Sequence, residues 1–279
     1  TETGQVGAAF NRMLGHVQRA LARRADSEAR LRQFAADASH ELRTPLAAIR
    51  GYAELALRHP AGTPREVTHA LDRVLAKSTR MSVLVDDLLL LARLDAGRPL
   101  EDGPVDVTRL AIDATSDAQV ARPGHRWVLD LPDDPVQVRG DEHRLHQVLA
   151  NVLSNAGRHT PEGTTVTVRL TADSPVPDGA DGGTVRRGTV PPPPRTVITV
   201  TDDGPGIPPD LLPDLFERFT RADTARSHAT DADDGSTGLG LAIVTAVVVA
   251  HGGAVLATSR LARPARHGLT RITIALPRL

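Results

Sequence analysis

The chain has 279 residues, enough for one large or two ordinary domains, and its 33 basic residues against 34 acidic ones leave no electrostatic footprint for nucleic acid. It has no cysteine, which excludes disulfide scaffolds, thiol catalysis and cysteine-ligated zinc. Its single lysine, Lys77, stands in AKSTRM without the glycines of a P-loop, and its longest apolar run, Leu241 to Ala250, is about half of the ~20 residues that a bilayer-spanning helix needs.

Residues 1 to about 28 carry Val6, Phe10, Met13, Leu14, Val17 and Leu21 at a helical step. The piece GAAFNRMLGHV resembles the second helix of a HAMP signalling module, the relay that joins a membrane helix to a kinase. Residues 1–27 are therefore expected to be a partial HAMP helix. The chain starts at Thr1 rather than Met and is expected to be excised from something longer; the resemblance implies the cytoplasmic part of a cell-membrane protein, touching the membrane only through segments outside itself.

Phe34 to Arg50 reads FAADASHELRTPLAAIR. Phe34, Ala38, Leu42, Leu46 and Ile49 form a helical apolar stripe, while His40 and Thr44, four apart, share a different face. Pro45 cannot donate to the carbonyl of Glu41 and its ring crowds that turn, which predicts a bend beside His40. HPAGTP makes the following turn, and Thr63 as N-cap, Pro64 at the first helical position and Glu66 three after the cap start the next helix. Along it Val67, Leu71, Val74, Met81, Val85 and Leu88 alternate steps of three and four, so 28–95 is predicted to fold as an antiparallel helical hairpin. Leu84, Leu89 and Leu91 widen the stripe beyond what one partner helix covers, which predicts a homodimer with a four-helix bundle.

DAGRPLEDGP supplies the linker, 96–104, and from 105 to 279 the pattern is α/β. Strands are predicted at 105–107, 125–131, 136–139, 164–170 and 196–201, and helices at 108–121 and from Asp141 to about Arg158. The stretch 173–195, rich in Pro and Gly and poor in apolar residues, reads as a disordered surface loop.

Within QVLANVLSNAGRHT, Asn151 and Asn155 lie one turn apart with Arg158 a turn further, and Val148, Leu149, Val152 and Leu153 take the other side. Asparagine is a mediocre helix former; a magnesium ion, which accepts neutral carbonyl oxygens beside phosphate and water, is one reason to place two of them there, and an ordinary wet helix face is the other. In DDGPGIPPD, Asp202 is placed to accept from an amino group, and Gly204 and Gly206 let backbone approach a flat ring. LFERF holds Phe216, Arg218 and Phe219 ahead of a polar stretch, and GSTGLGLAIV opens a helix whose free N–H groups can hold phosphate. His143 and His146 are three apart without an acidic or thiol set to complete a metal site, and His251 has no evident partner.

SHELRTPL closely resembles the phosphoacceptor box of bacterial sensor histidine kinases of the dimerising-helix type. The later stretches, in their order and spacing, resemble the N, G1, F and G2 boxes of the GHKL (Bergerat) ATP-binding fold. Together they cover roughly 28–279 and imply an α + α/β chain, a helical hairpin followed by an α/β sandwich that binds Mg-ATP. By that resemblance His40 takes a phosphoryl group, Glu41 is the neighbouring base or orienting carboxylate, and Thr44 positions a water for dephosphorylation of a partner response regulator. Asn151 and Asn155 belong to the magnesium and phosphate site, Asp202 with Gly204 and Gly206 reads adenine, and Arg158 with Arg218 or Arg221 meets phosphate. Gly238, Leu239 and Gly240 supply the phosphate-binding helix start, and His159 stands where the family often has an aromatic residue to stack on the base. Two other readings use the same residues. One is a GHKL ATPase for which His40 is incidental, and the other is an inactive dimeric scaffold that docks a regulator.

Overall fold

The computed structural model describes Leu42 and residues 45–47, 49–54, 64–176, 183–220, 237–262 and 267–279. The chain divides into two compact units, Thr1–Val85 and Asp86–Leu279. His40, Glu41, Thr44, Arg221 and the HAMP-like segment lie outside the described residues.

In the first unit the described residues from Leu42 to Glu54 are helical, and Arg50 Nε donates to Glu54 Oε1 one turn on at 2.9 Å. Helix α1, Pro64–Asp95, begins at the proline that the sequence marks as a first helical position. Leu71, Leu75, Val83 and Val85 stand exposed on it. Among the described residues no helix is long and apolar enough to cross a membrane.

The second unit takes over the last turns of α1. These end in a Schellman motif: Arg98 N–H donates to Arg93 O at 3.1 Å, Gly97 N–H donates to Leu94 O at 2.9 Å, and Gly97 has φ +67°. Strand β1, Gly103–Asp106, pairs antiparallel with β3, Gln137–Gly140. Between them run α2, Val107–Ala121, and β2, Arg126–Asp130. Asp106 caps α2 by accepting from Arg109 N–H at 3.0 Å, so Val107, which the β-branched pattern assigns to the first strand, is drawn into the helix instead.

After β3 come α3, Glu142–His159, then β4, Thr165–Ala172, β5, Gly183–Gly188, and β6, Arg195–Asp202. The unit closes with α4, Gly240–Ala250, β7, Ala254–Arg260, and β8, Leu269–Pro277. Six strands form one sheet in the order β2-β4-β6-β8-β7-β5, antiparallel except for β2 against β4. The helices line one face in the order α2, α3, α4, giving a two-layer sandwich. Val166, Val168 and Leu170 alternate on β4 and are buried, as are Leu149 and Leu153 of α3 and Ile243, Val244 and Val247 of α4. Each such side chain contributes roughly 1.5–3 kcal/mol by leaving water.

The expectation of a disordered loop over 173–195 is corrected at 183–188, where β5 pairs antiparallel with β7 from Gly183↔Ser259 to Gly188↔Ala254. The strand sits at the sheet edge with only Val185 and Arg187 turned partly inward, so it needs little apolar content to pair. Arg187 Nη2 anchors it, donating to Glu217 Oε1 at 2.8 Å and to Pro213 O at 3.2 Å.

Candidate functional site

Helix α3 carries the first part of the site. Val148, Leu149, Val152, Leu153 and Ala156 are buried, which turns Asn151, Asn155 and Arg158 to a half-buried face, with His159 exposed at its end. Asp141 caps the helix by accepting from Arg144 N–H at 3.0 Å. The N–H of Asp141 donates in turn to His251 Nε2 at 3.0 Å, and His251 Nδ1 lies 2.8 Å from Val247 O. These two partners assign the Nδ1–H tautomer. His251, which has no evident partner in the sequence, therefore fastens the end of α4 to the start of α3.

A second fastening is more central. Asn151 Nδ2 donates to the carbonyl of Gly240, the first residue of α4, at 3.2 Å. Only the amide nitrogen can donate, so the side chain's orientation is determined and Oδ1 remains an acceptor. A neutral oxygen of this kind, with Asn155 one turn on, suits magnesium better than a softer metal.

Asp202 ends β6, buried between β4 and β8, where it is registered against Val166 and Thr270. Burial pushes its carboxyl up to about 6; the N–H of Gly204, donating at 3.1 Å, pulls it down and neighbouring Asp203 pushes it up again. The loop after it is pinned on several sides. Ile207 N–H donates to Ser259 Oγ at 2.6 Å, Ser259 Oγ donates to Leu269 O at 3.2 Å, and Ala262 N–H donates to Pro205 O at 2.9 Å. Gly206 has φ +82° and lies against the carbonyl of Arg260, so neither its backbone angle nor its surroundings admit a side chain.

Sequence reasoning missed two residues beneath this loop. Thr160 Oγ1 donates to Ala156 O at 2.6 Å and accepts from His125 Nε2 at 2.9 Å. That fixes its rotamer with the methyl toward Gly204, where an added Cβ would meet Thr160 Cγ2 at 2.6 Å. A threonine closing α3 was visible in GRHT, but its partner is 35 residues away, beyond local pattern reading.

The last part is the start of α4. Phe219 takes φ +60° and donates its N–H to Gly238 O at 2.9 Å, while Gly238 has φ +69° and would place a Cβ 2.8 Å from Phe219 Cα. The two residues hold each other in the left-handed region. Unlike α2 and α3, α4 has no side-chain cap at its N-terminus among the described residues. Its first N–H groups and the positive end of its dipole suit an anion. Leu239 is fully buried and its N–H donates to Thr237 Oγ1 at 3.3 Å, so it serves packing first. The guanidinium of Arg218 pairs with Asp95, Nη2 to Oδ2 at 2.6 Å. Asn151 thus stands at the α4 start, and Asp202, Gly204 and Gly206 form one loop end; His40, Glu41, Thr44 and Arg221 are not described.

Comparison with known proteins agrees with this arrangement. Residues 140–279 match the family described as histidine kinase-, DNA gyrase B- and HSP90-like ATPase, and residues 30–97 match the His Kinase A (phospho-acceptor) domain. The probable sensor histidine kinase TcrY of Mycobacterium tuberculosis is 52% identical over 277 residues, covering 99% of this chain and 52% of TcrY. Sensor histidine kinase TrcS of the same organism is 48% identical over 258 residues, 92% of this chain and 47% of TrcS. This chain thus spans about half the length of these relatives. Among solved structures, full-length ShkA in complex with AMPPNP superposes with a TM-score of 0.56 at 27% identity, covering 88% of this chain and 45% of ShkA.

Proposed function

The chain belongs to the histidine kinase family, and we propose that it binds Mg-ATP, transfers the γ-phosphoryl group to His40 and passes it to an aspartate of a response regulator. The observation that carries this reading is the meeting of Asn151 with the first residue of α4, whose N-terminus has no side-chain cap. It brings neutral oxygen donors beside a helix start suited to phosphate. Asp202 accepts from the adenine amino group at the other end, with Gly204 and Gly206 against the ring. Magnesium, when bound at Asn151 and Asn155, neutralises charge on the phosphate oxygens.

In the transfer an N–P bond forms at a ring nitrogen of His40 as the bond from γ-phosphorus to the bridging oxygen breaks, and ADP leaves with that electron pair. Glu41, next to the ring in sequence, takes or balances the imidazole proton. The chain works as a homodimer, for which the exposed Leu71, Leu75, Val83 and Val85 of α1 provide apolar surface. Its place in the whole protein is the cytoplasmic side of a membrane-bound sensor, in keeping with relatives that are named sensor kinases.

The test is incubation with γ-labelled ATP and magnesium, comparing the chain with His40→Gln. Label on protein that is lost in acid, kept in base and absent from the variant is expected. ATP turnover that survives His40→Gln without protein label would replace the kinase by an ATPase.

A further inference from the structure

Arg218 and Asp95 are 123 residues apart, yet their side chains meet at 2.6 Å. The residues on either side of Arg218 are committed elsewhere. Glu217 is held by Arg187, and Phe219 is held by Gly238 at the start of α4. The guanidinium therefore leaves the α4 start and reaches the last residue of α1. A carboxylate in the final turn of a helix faces the negative end of the dipole, an unfavourable place that a cation offsets. The guanidinium is the more sheltered partner, with 27% of its side chain exposed against 55% for Asp95.

Carboxylate and phosphate offer a guanidinium the same paired oxygens, and one fork cannot serve both fully. Resting on the reading of Arg218 as a phosphate ligand, we infer that Asp95 is a positioning residue for the nucleotide site. Its carboxylate stands in for phosphate on Arg218, and ATP binding exchanges one for the other. Nucleotide binding then releases the last residue of α1, beside the Schellman turn at Gly97. The occupancy of the ATP site is in this way reported to the end of the long helix, and the report is made by a change of ion-pair partner.

The experiment is calorimetric titration of the full chain with Mg-AMPPNP and, separately, with adenosine, which has no phosphate. Asp95→Asn is expected to tighten AMPPNP about threefold, about 0.7 kcal/mol at the tenfold-per-1.4 kcal/mol conversion, and to leave adenosine unchanged. Asp95→Glu keeps the parent affinity. Arg218→Ala weakens AMPPNP, and adding Asp95→Asn to it has no further effect. The tightening shrinks as salt is raised. Unchanged or weaker AMPPNP binding in Asp95→Asn, alongside weakening in Arg218→Ala, overturns the exchange while keeping Arg218 as a ligand. No effect of Arg218→Ala overturns the inference but not the kinase reading, whereas a parent chain that binds adenosine but not AMPPNP overturns both.

Discussion

Asn151 reaches across to the carbonyl of Gly240, 89 residues further along, and donates to it at 3.2 Å. One side chain thus holds two helices in register and keeps an oxygen for a ligand, whereas Asn155, one turn on, makes no such side-chain hydrogen bond among the described residues. The two asparagines are therefore separable. Asn155→Ala is expected to cut phosphoryl transfer at least a hundredfold with little change in Tm. Asn151→Ala is expected to do the same and also to cost about 1 kcal/mol, the usual worth of such a hydrogen bond. Protein-bound label and thermal melts measure the two effects; equal stability losses in both variants would contradict the division of labour.

Asp202 carries a pH dependence with a definite sign. Its carboxyl is raised from 3.8 to about 6, so the fold favours the protonated form. The stabilising contribution is complete below about 3.8 and is lost as pH rises through about 6. Above that the buried charge costs about 2–3 kcal/mol, at 1.36 kcal/mol per pH unit. Asp202→Asn should accordingly stabilise the chain by about that amount at pH 7.5 in denaturant melts, with the gain shrinking toward pH 4. On the proposed reading, in which ionised Asp202 accepts from the adenine amino group, adenosine binding is expected to weaken in the parent as pH falls below about 6. A stability difference that does not vary with pH would rule this account out.

Gly206→Ala should be the most damaging single change in the loop proposed to read adenine. Its φ of +82° and the adjacent Arg260 carbonyl both oppose a Cβ, and strain of this kind costs roughly 1–3 kcal/mol before any clash is relieved. Loss of adenosine binding with a lowered Tm is expected. Gly163, which also has positive φ (+86°) but open space around it, serves as the control and should lose stability alone.

Thr160 separates a hydroxyl role from a methyl role. Thr160→Val removes the acceptor for His125, whose Nδ1 is already buried without a partner among the described residues, and should cost about 1–3 kcal/mol. Thr160→Ser keeps that bond and removes the methyl packed toward Gly204, so it should weaken adenosine while leaving Tm nearly unchanged. Equal effects of the two variants on adenosine would show that the methyl has no part in shaping the loop.

Much of α3 was legible in the sequence because each of its faces carries a separate pattern, Val148, Leu149, Val152 and Leu153 inward and Asn151 and Asn155 outward. The alternation TTVTVRL on β4 was readable for the same reason. Strand β5 escaped because an edge strand can be polar, and its pairing with β7 is a property of the sheet. The His251 link to Asp141 spans 110 residues, and the Arg218 pair with Asp95 spans 123; no local spacing announces such partners. The resemblance offers Arg218 or Arg221 as a cation that meets phosphate, and the carboxylate of Asp95 beside Arg218 is visible only in the fold.

The excursion that carries β5 to the far edge of the sheet departs after β4 and returns at β6, two strands that are already neighbours. Its two ends are clasped: Asp173 N–H donates to Arg195 O at 2.8 Å, and Arg195 N–H donates to Asp173 Oδ1 at 2.9 Å. The hairpin is thus closed at its base whatever lies beyond it, which gives 174–194 the construction of a graft. The graft is not idle, because Arg187 grips Glu217 and Pro213 on the segment that leads to Arg218. A change of length or composition in this segment is therefore expected to be felt first at 213–218, through the bonds of Arg187 to Pro213 and Glu217.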